Sequence, residues 1–391
     1  MKALVLTPST REAAVRELSR PVPGVGEVLI RVHAVALNPV DSLYVFHPIA
    51  IQEYRVIGTD FAGIVVGASP ELAGSPDPRT RSGARVAGFL QGACSVNDRP
   101  GAFAEYITAP YDLVWNVPEN VSLEAASAVS MCGLTAAQGV FVRLGLPSPF
   151  APSSGALHVE NQDTHSPINV FIYGSSTSLG LYAAQLVRLS FLASGRKIRL
   201  IGAASAAKHD FLRKAPYSYD ALVDYRDSDW PDKVREATAG GGVDYAIDCI
   251  SEGATVEKVH STFGPQGRFA VFRSPGGGGF DTSRLRVKPI YGAVWEGLGV
   301  EIGYNGQTIP ASPAARDFAT KFFAFLSSGA EEGKVNLEPN PLRIMPGGLK
   351  RVVPDGFTLL GGDGVTSRTT TRSELEHMRP ISAEKMVYVI E

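Results

Sequence analysis

The stretch from residue 168 to residue 180 limits the fold more than any other. Ile168-Asn169-Val170-Phe171-Ile172-Tyr173 is an apolar run of strand length, Gly174-Ser175-Ser176-Thr177 is a turn of small residues, and Ser178-Leu179-Gly180 opens an Ala/Leu-rich helical stretch. Strand, small-residue turn and helix start in that order suit a pyrophosphate. Small side chains let the backbone approach, and a helix N-terminus supplies N–H groups and the positive end of its dipole. The match to Gly-x-Gly-x-x-Gly is imperfect, because Gly174 and Gly180 stand while Ser and Thr fill the inner positions. An ordinary tight strand-to-helix turn could carry the same residues. The alternation continues downstream, with strands expected at 198–202, 221–224, 244–248 and 268–272 and helices between them, as at 179–191 and 232–237. Alternating strands and helices specify an α/β domain with a doubly wound parallel sheet covered on both faces.

The first third reads differently. Glu27 to Val35 follows Pro-Val-Pro-Gly-Val-Gly, and 63–67 and 84–89 are further short strands bounded by glycine. Short strands at close spacing with Gly/Pro punctuation predict a barrel-like β unit. Residues 123–129 and 134–144 then turn helical, the first with Ser122 as its N-cap. The Pro/Ser/Gly-rich segment 145–167 has no periodicity and reads as an exposed excursion, and the strand-like stretch 384–390 returns to the first domain.

Composition narrows the function classes. With 391 residues the chain exceeds one ordinary domain. A formal net charge of −2 gives no basic footprint for nucleic acid, and the apolar runs are too short for a membrane span. Cys94, Cys132 and Cys249 lack Cys-x-x-Cys spacing, which argues against a disulfide scaffold and a structural zinc site. His33, His47, His158, His165, His209, His260 and His377 show no ligand spacing either. The cytosol is the expected compartment.

The end of the second strand sets the cofactor expectation. An NAD site places Asp or Glu there for the ribose 2′-hydroxyl. This chain reads Gly202-Ala203-Ala204-Ser205-Ala206-Ala207-Lys208, with no carboxylate and with a hydroxyl and a cation close by. A 2′-phosphate suits both, so NADPH is expected, with Ser205 and Lys208 as its ligands and Tyr225-Arg226 closing the other side of the adenosine pocket. Lys208 could equally be a solvated helix lysine, and Tyr225 a packing aromatic.

Several stretches in combination resemble the medium-chain dehydrogenase/reductase superfamily: Ala36-Leu37-Asn38-Pro39-Val40-Asp41, Gly58-Thr59-Asp60-Phe61-Ala62-Gly63, Gly101-Ala102-Phe103-Ala104-Glu105-Tyr106 and Glu124-Ala125-Ala126-Ser127-Ala128. The Asn-x-x-Asp in the first stretch is similar to the zinc-free quinone- and enoyl-reductase side of that superfamily. Zinc alcohol dehydrogenases carry a Cys ligand near Asn38 and Gly-His-Glu where Gly58-Thr59-Asp60 stands, so the thiol and imidazole are gone here. Tyr173-Gly174-Ser175-Ser176-Thr177, the insertion opened by Gly145-Leu146-Pro147, Asp224-Tyr225-Arg226 and Ala246-Ile247-Asp248-Cys249 resemble the trans-acting enoyl reductases of fungal polyketide pathways, called toxD-like oxidoreductases.

The resemblance implies a GroES-like β-barrel catalytic domain over 1–130 and 315–391, and a Rossmann dinucleotide-binding domain over 131–314. It implies NADPH, with Asn38, Pro39, Val40, Asp41, Ser42, Gly174, Ser175, Ser176, Thr177, Ser178, Leu179, Ser205, Lys208, Tyr225, Glu384 and Lys385 as cofactor-binding residues, and no metal. The implied partner is a polyketide synthase whose acyl-carrier domain presents an α,β-unsaturated thioester, the protein itself being a monomer or homodimer. Thr135 is the candidate catalytic hydroxyl for the developing oxyanion, though it could instead bond only to backbone. Phe272, Tyr291, Gly292 and Trp295, beside the glycine run 276–279, are the expected substrate-lining residues. Some of these enzymes have Lys two residues past the Asp of Asn-Pro-x-Asp, where this chain has Leu43. Two alternatives stand: a reductase of free enones, quinones or iminium ions, and a noncatalytic NADPH-binding scaffold for a synthase.

Overall fold

The computed structural model describes residues 1–151, 166–304, 306–370 and 373–390. Most of the excursion expected at 145–167 therefore lies outside the described residues, with His158 and His165. The chain divides into two compact units, one of Met1–Met131 with Trp295–Glu391 and one of Cys132–Val294.

The second unit is built on a six-stranded parallel sheet. Its order across the sheet is Ala221–Val223, Ile198–Ala203, Ile168–Tyr173, Val243–Asp248, Phe263–Val271, Pro289–Tyr291. A parallel sheet is covered on both faces, so its central strands are apolar without alternation: Val170, Phe171 and Ile172 are all fully buried. The Phe171 ring stacks on Trp230 with centroids 5.7 Å apart. Strand order reverses between Ile168–Tyr173 and Val243–Asp248, the crevice where sheets of this kind bind ligands. Helix Ser178–Ser194 follows the first strand, capped by Thr177 at its start and by Gly195 at φ 65° at its end.

Three local features differ from expectation. The glycine run 276–279 forms the short helix Pro275–Gly278, because the Ser274 hydroxyl accepts the Gly277 N–H at 3.1 Å and Gly279 takes a left-handed φ of 65°. A sixth strand, beyond the five expected, forms at Pro289–Tyr291. The helix expected over 134–144 is instead an α-helix, Ser130–Ala137, continued by the π-helical Gln138–Arg143. Within that π segment the Phe272 ring lies so close that a Cβ at Gly139 would sit 2.7 Å from it.

The first unit carries a seven-stranded sheet whose path runs Leu342–Met345, Lys385–Val389, Glu27–Ala36, Asp60–Ala68, Arg85–Phe89, Val114–Asn116, with Tyr106–Pro110 also on Glu27–Ala36. A three-stranded sheet of Glu12–Glu17, Lys2–Thr7 and Arg55–Val56 and a two-stranded one of Ile302–Tyr304 and Gln307–Ile309 also belong to it. Ser122 caps helix Leu123–Ser127 by accepting the Ala125 N–H at 3.1 Å. Residues 295–314, expected with the dinucleotide-binding domain, cluster with this unit. Trp295 packs on Phe89 with centroids 6.1 Å apart, and Val96 donates its N–H to the Gly303 carbonyl at 3.1 Å. Among the described residues no helix is long and apolar enough to cross a membrane.

Candidate functional site

In the second unit the loop after Ile168–Tyr173 is shaped for a phosphate. Gly174 has φ 75°, and a Cβ there would lie 3.3 Å from Ile250 and 3.4 Å from Cys249. A Cβ at Gly180 would be driven into the Gly174 carbonyl and would lie 2.9 Å from Ser175, so glycine is what lets the helix start close on the strand. Two hydroxyls of the loop turn into the protein. Ser175, fully buried, donates to the Ile172 carbonyl at 2.7 Å, while Thr177 donates to the Gly174 carbonyl at 2.8 Å and accepts the Gly180 N–H at 3.0 Å. Ser175 and Thr177 thus hold the shape, and Ser176, Ser178 and Leu179 are the partly exposed residues around the helix start. A cradle that Cβ atoms would fill, at a helix N-terminus and at the strand-order switch, fits a dinucleotide pyrophosphate.

The turn after strand Ile198–Ala203 is organised by Asp224, to which the sequence assigns no role. Asp224 accepts the Ala206 N–H at 2.9 Å through one carboxylate oxygen and the Arg226 N–H at 3.0 Å through the other. It thereby pins the turn that carries Ser205 and Lys208. These backbone bonds from Arg226 and Ala206 hold its carboxyl below the usual range. Tyr225 packs edge-on to Tyr173 at 6.5 Å, and the Arg226 guanidinium lies 5.3 Å over the Tyr225 ring. Asp immediately before Tyr-Arg at a strand end was the available signal.

The first unit gathers Asn38, Asp41, Thr59, Asp60 and Lys385, all at most 3% exposed. The Lys385 ammonium donates to Asn38 Oδ1 at 2.5 Å and to Asp60 Oδ2 at 3.2 Å. Burial, against hydrogen bonds from the Asn38 N–H and Thr59, pushes the Asp41 carboxyl up to about 7. An amide, a hydroxyl and two carboxyl groups around an ammonium do not fit zinc: no thiolate or imidazole joins the carboxyls, and the ammonium would repel the ion. Among the described residues no three His, Cys, Asp or Glu side chains come together to hold a metal ion.

Several expected contacts are turned inward. Lys385 is engaged as above, and the Glu384 carboxylate is bound by Arg343 and Arg379. Ser42 donates to the Gly361 carbonyl at 2.7 Å, so of 38–42 only Pro39 and Val40 keep exposed surface. Thr135 sits half-buried within helix Ser130–Ala137. Trp295 falls in the first unit and is buried, 2% exposed. Tyr291 packs against the second unit's core cluster. Phe272 and Gly292 both meet the π-helical segment, the first at Gly139 and the second at the Arg143 guanidinium, which fills the space a Cβ at Gly292 would need. Bulk at position 292 would therefore act first on Arg143.

Two family descriptions match the chain: Alcohol dehydrogenase GroES-like domain over residues 24–119, and Zinc-binding dehydrogenase over residues 179–292. The chain is 28% identical over 331 residues to the trans-enoyl reductase traG of Penicillium crustosum, spanning 84% of this chain and 85% of that protein. It is 29% identical over 379 residues to the trans-enoyl reductase caaB of Aspergillus niger, spanning 95% and 92%. Among solved structures, an alcohol dehydrogenase superfamily protein from Novosphingobium aromaticivorans matches at TM-score 0.71 and 20% identity over 100% of both chains. The CurK enoyl reductase matches at TM-score 0.68 and 17% identity, over 100% of this chain and 99% of its own. Those two structures bear out the architecture, a GroES-like unit joined to a Rossmann sheet.

Proposed function

The chain belongs to the medium-chain dehydrogenase/reductase superfamily, and on that premise we propose that it is a trans-acting enoyl reductase that uses NADPH to reduce α,β-unsaturated acyl thioesters on a polyketide synthase. The observation that carries the proposal is the likeness to trans-enoyl reductases across nearly the whole of both chains. The cradle in the second unit supports it. NADPH, when bound, supplies the hydride for the thioester's β-carbon. The chain's own residues would bind and orient: the helix start at Ser178 and Leu179 would receive the pyrophosphate, Ser205 and Lys208 the 2′-phosphate, and Tyr225 would close the other side of the adenosine pocket. The Thr135 hydroxyl donates to the thioester oxygen as negative charge develops there. With Leu43 in place of a lysine, water brings the proton to the α-carbon.

The test is the product profile of a partner synthase with and without this protein, together with enoyl thioesters presented on a carrier protein. Reduced products only when the protein is present, and turnover of the carrier-bound thioester, are expected. Brisk reduction of free enones with no turnover of any thioester would move the protein to the other reductase class. NADPH binding without hydride loss on any substrate would make it a scaffold.

Cofactor choice is checked separately. No acid stands at the end of the second strand, and Asp224, the nearby one, is occupied in holding the turn. NADPH is therefore expected to bind far more tightly than NADH. The double change Ser205→Ala and Lys208→Ala should remove about 1–3 kcal/mol of that preference, the worth of charge-assisted bonds to a phosphate. Isothermal titration with both cofactors measures it, and equal affinities in the unaltered protein would contradict the assignment.

A further inference from the structure

The cluster around Lys385 contains one ammonium and two carboxyl groups, all buried within the first unit. Its hydrogen bonds run in one direction. Lys385 donates to Asn38 Oδ1 and Asp60 Oδ2. The Asn38 amide donates to Asp60 Oδ2 and to Thr59 Oγ1, both at 2.8 Å. The Thr59 hydroxyl donates to Asp41 Oδ2 at 3.2 Å, which also accepts the Asn38 N–H at 2.7 Å. Asp60 Oδ1 accepts the Met131 N–H at 2.9 Å.

A buried, uncompensated charge is costly, so a cluster with one cation carries one anion. The two acids are not equivalent. Asp60 touches the ammonium and has donors on both oxygens. Asp41 has both its donors on one oxygen, and its Oδ1 is buried with no hydrogen-bond partner. These contacts favour the negative charge on Asp60 and the proton on Asp41.

We propose that Lys385 is a built-in cation that organises these residues, and that, paired with ionised Asp60 beside neutral Asp41, it positions the start of helix Pro39–Phe46. Asn38 is the N-cap residue of that helix and its backbone N–H is held by Asp41 Oδ2 at 2.7 Å, so the ammonium on the Asn38 side chain fixes the residue from which the helix starts. Lys385 is a positioning residue here. Its effect on cofactor rests on the reading of 38–42 as a cofactor contact.

The full-length protein tests this in three ways. Lys385→Ala should lower the thermal midpoint and weaken NADPH binding about tenfold or more. Propylammonium chloride, which replaces the lost methylenes and charge, should restore a large part of both, while sodium chloride at equal ionic strength and tetramethylammonium should restore neither. A folded Lys385→Ala protein indifferent to propylammonium overturns the proposal. The near-isosteric pair keeps it falsifiable if that variant does not fold. Asp60→Asn removes the carboxylate that Lys385 touches and should lower the midpoint strongly, while Asp41→Asn replaces one neutral group by another and should leave it within a few degrees. Equal losses, or the greater loss at Asp41, overturn the charge assignment. Stoichiometric zinc in the washed, unaltered protein overturns it as well. The thermal measurements need no cofactor, so a cluster that behaves as stated in a protein that binds no NADPH would count against the functional reading alone.

Discussion

Gly180→Val lowers NADPH affinity by about a hundredfold or more, close to 3 kcal/mol at 1.4 kcal/mol per factor of ten. The helix that begins at Ser178 closes on the strand turn so tightly that even one methyl group at 180 meets the Gly174 carbonyl and Ser175 backbone. Backbone on that side cannot yield without moving the turn. Valine adds a branched side chain in the first helical turn, so the helix start swings away from the turn and the N–H groups no longer converge. The bond from the Gly180 N–H to the Thr177 hydroxyl is lost with it. Alanine, with the methyl alone, should show a smaller loss of the same kind. Fluorescence titration with NADPH, beside a far-ultraviolet circular dichroism spectrum that confirms folding, measures the effect. An affinity within threefold of the unaltered protein would mean that this turn does not hold the pyrophosphate.

Arg343→Met destabilises the protein by about 3 kcal/mol, the low end of the usual cost of removing one member of a buried ion pair, because Arg379 still holds Glu384. Arg343 and Glu384 pair with side chains only 5% and 8% exposed. The same guanidinium donates to the carbonyls of His377, Arg379 and Pro380 at 3.1, 2.5 and 2.9 Å. Arg379 adds a second charge on the other Glu384 oxygen at 2.6 Å. Burial pushes the Glu384 carboxyl up, but the bond and charge of Arg343 and the charge of Arg379 outweigh it and hold the group below the usual range. A carboxyl lowered in the folded state stabilises fully above its unfolded value, and the contribution declines as pH falls through the folded one. Urea unfolding should therefore show a Glu384→Gln protein much weaker than the parent at pH 7, the gap narrowing as the solution is acidified below the usual carboxylate range. A gap that does not vary with pH would assign the effect to shape instead of charge.

The parallel sheet could be read from sequence because strands covered on both faces are written as unbroken apolar runs; Ile168–Tyr173 announces itself in this way. Pro289–Tyr291 could not, since three residues opening on proline carry too little pattern to tell strand from loop. Helix Pro275–Gly278 was hidden by composition, four glycines after a proline arguing for a loop while Ser274 supplied the cap. In the site, the turn glycines were legible because backbone geometry demands them. The direction of Glu384 and Lys385 was not. Every residue from Lys385 to Tyr388 is buried, so period-two alternation gives no hint of which way the ammonium points. Asp224 was overlooked for a related reason: an acid that binds backbone N–H groups looks in sequence like any other solvated aspartate.

The split composition of the first unit also sets an order of assembly during synthesis. The second unit is one continuous stretch, Cys132–Val294, whose six strands all leave the ribosome before residue 295 does. It can close on its own while translation continues. The first unit cannot, because strand Lys385–Val389 lies inside its larger sheet, between Leu342–Met345 and Glu27–Ala36, about 350 residues after the partner it pairs with. Until that strand emerges, the Ala34–Ala36 end of strand Glu27–Ala36 presents an open edge, and Asn38 and Asp60 wait without their cation. The residue that neutralises the cluster is thus delivered by the same late strand that seals the sheet, so closure and charge balance occur in one event.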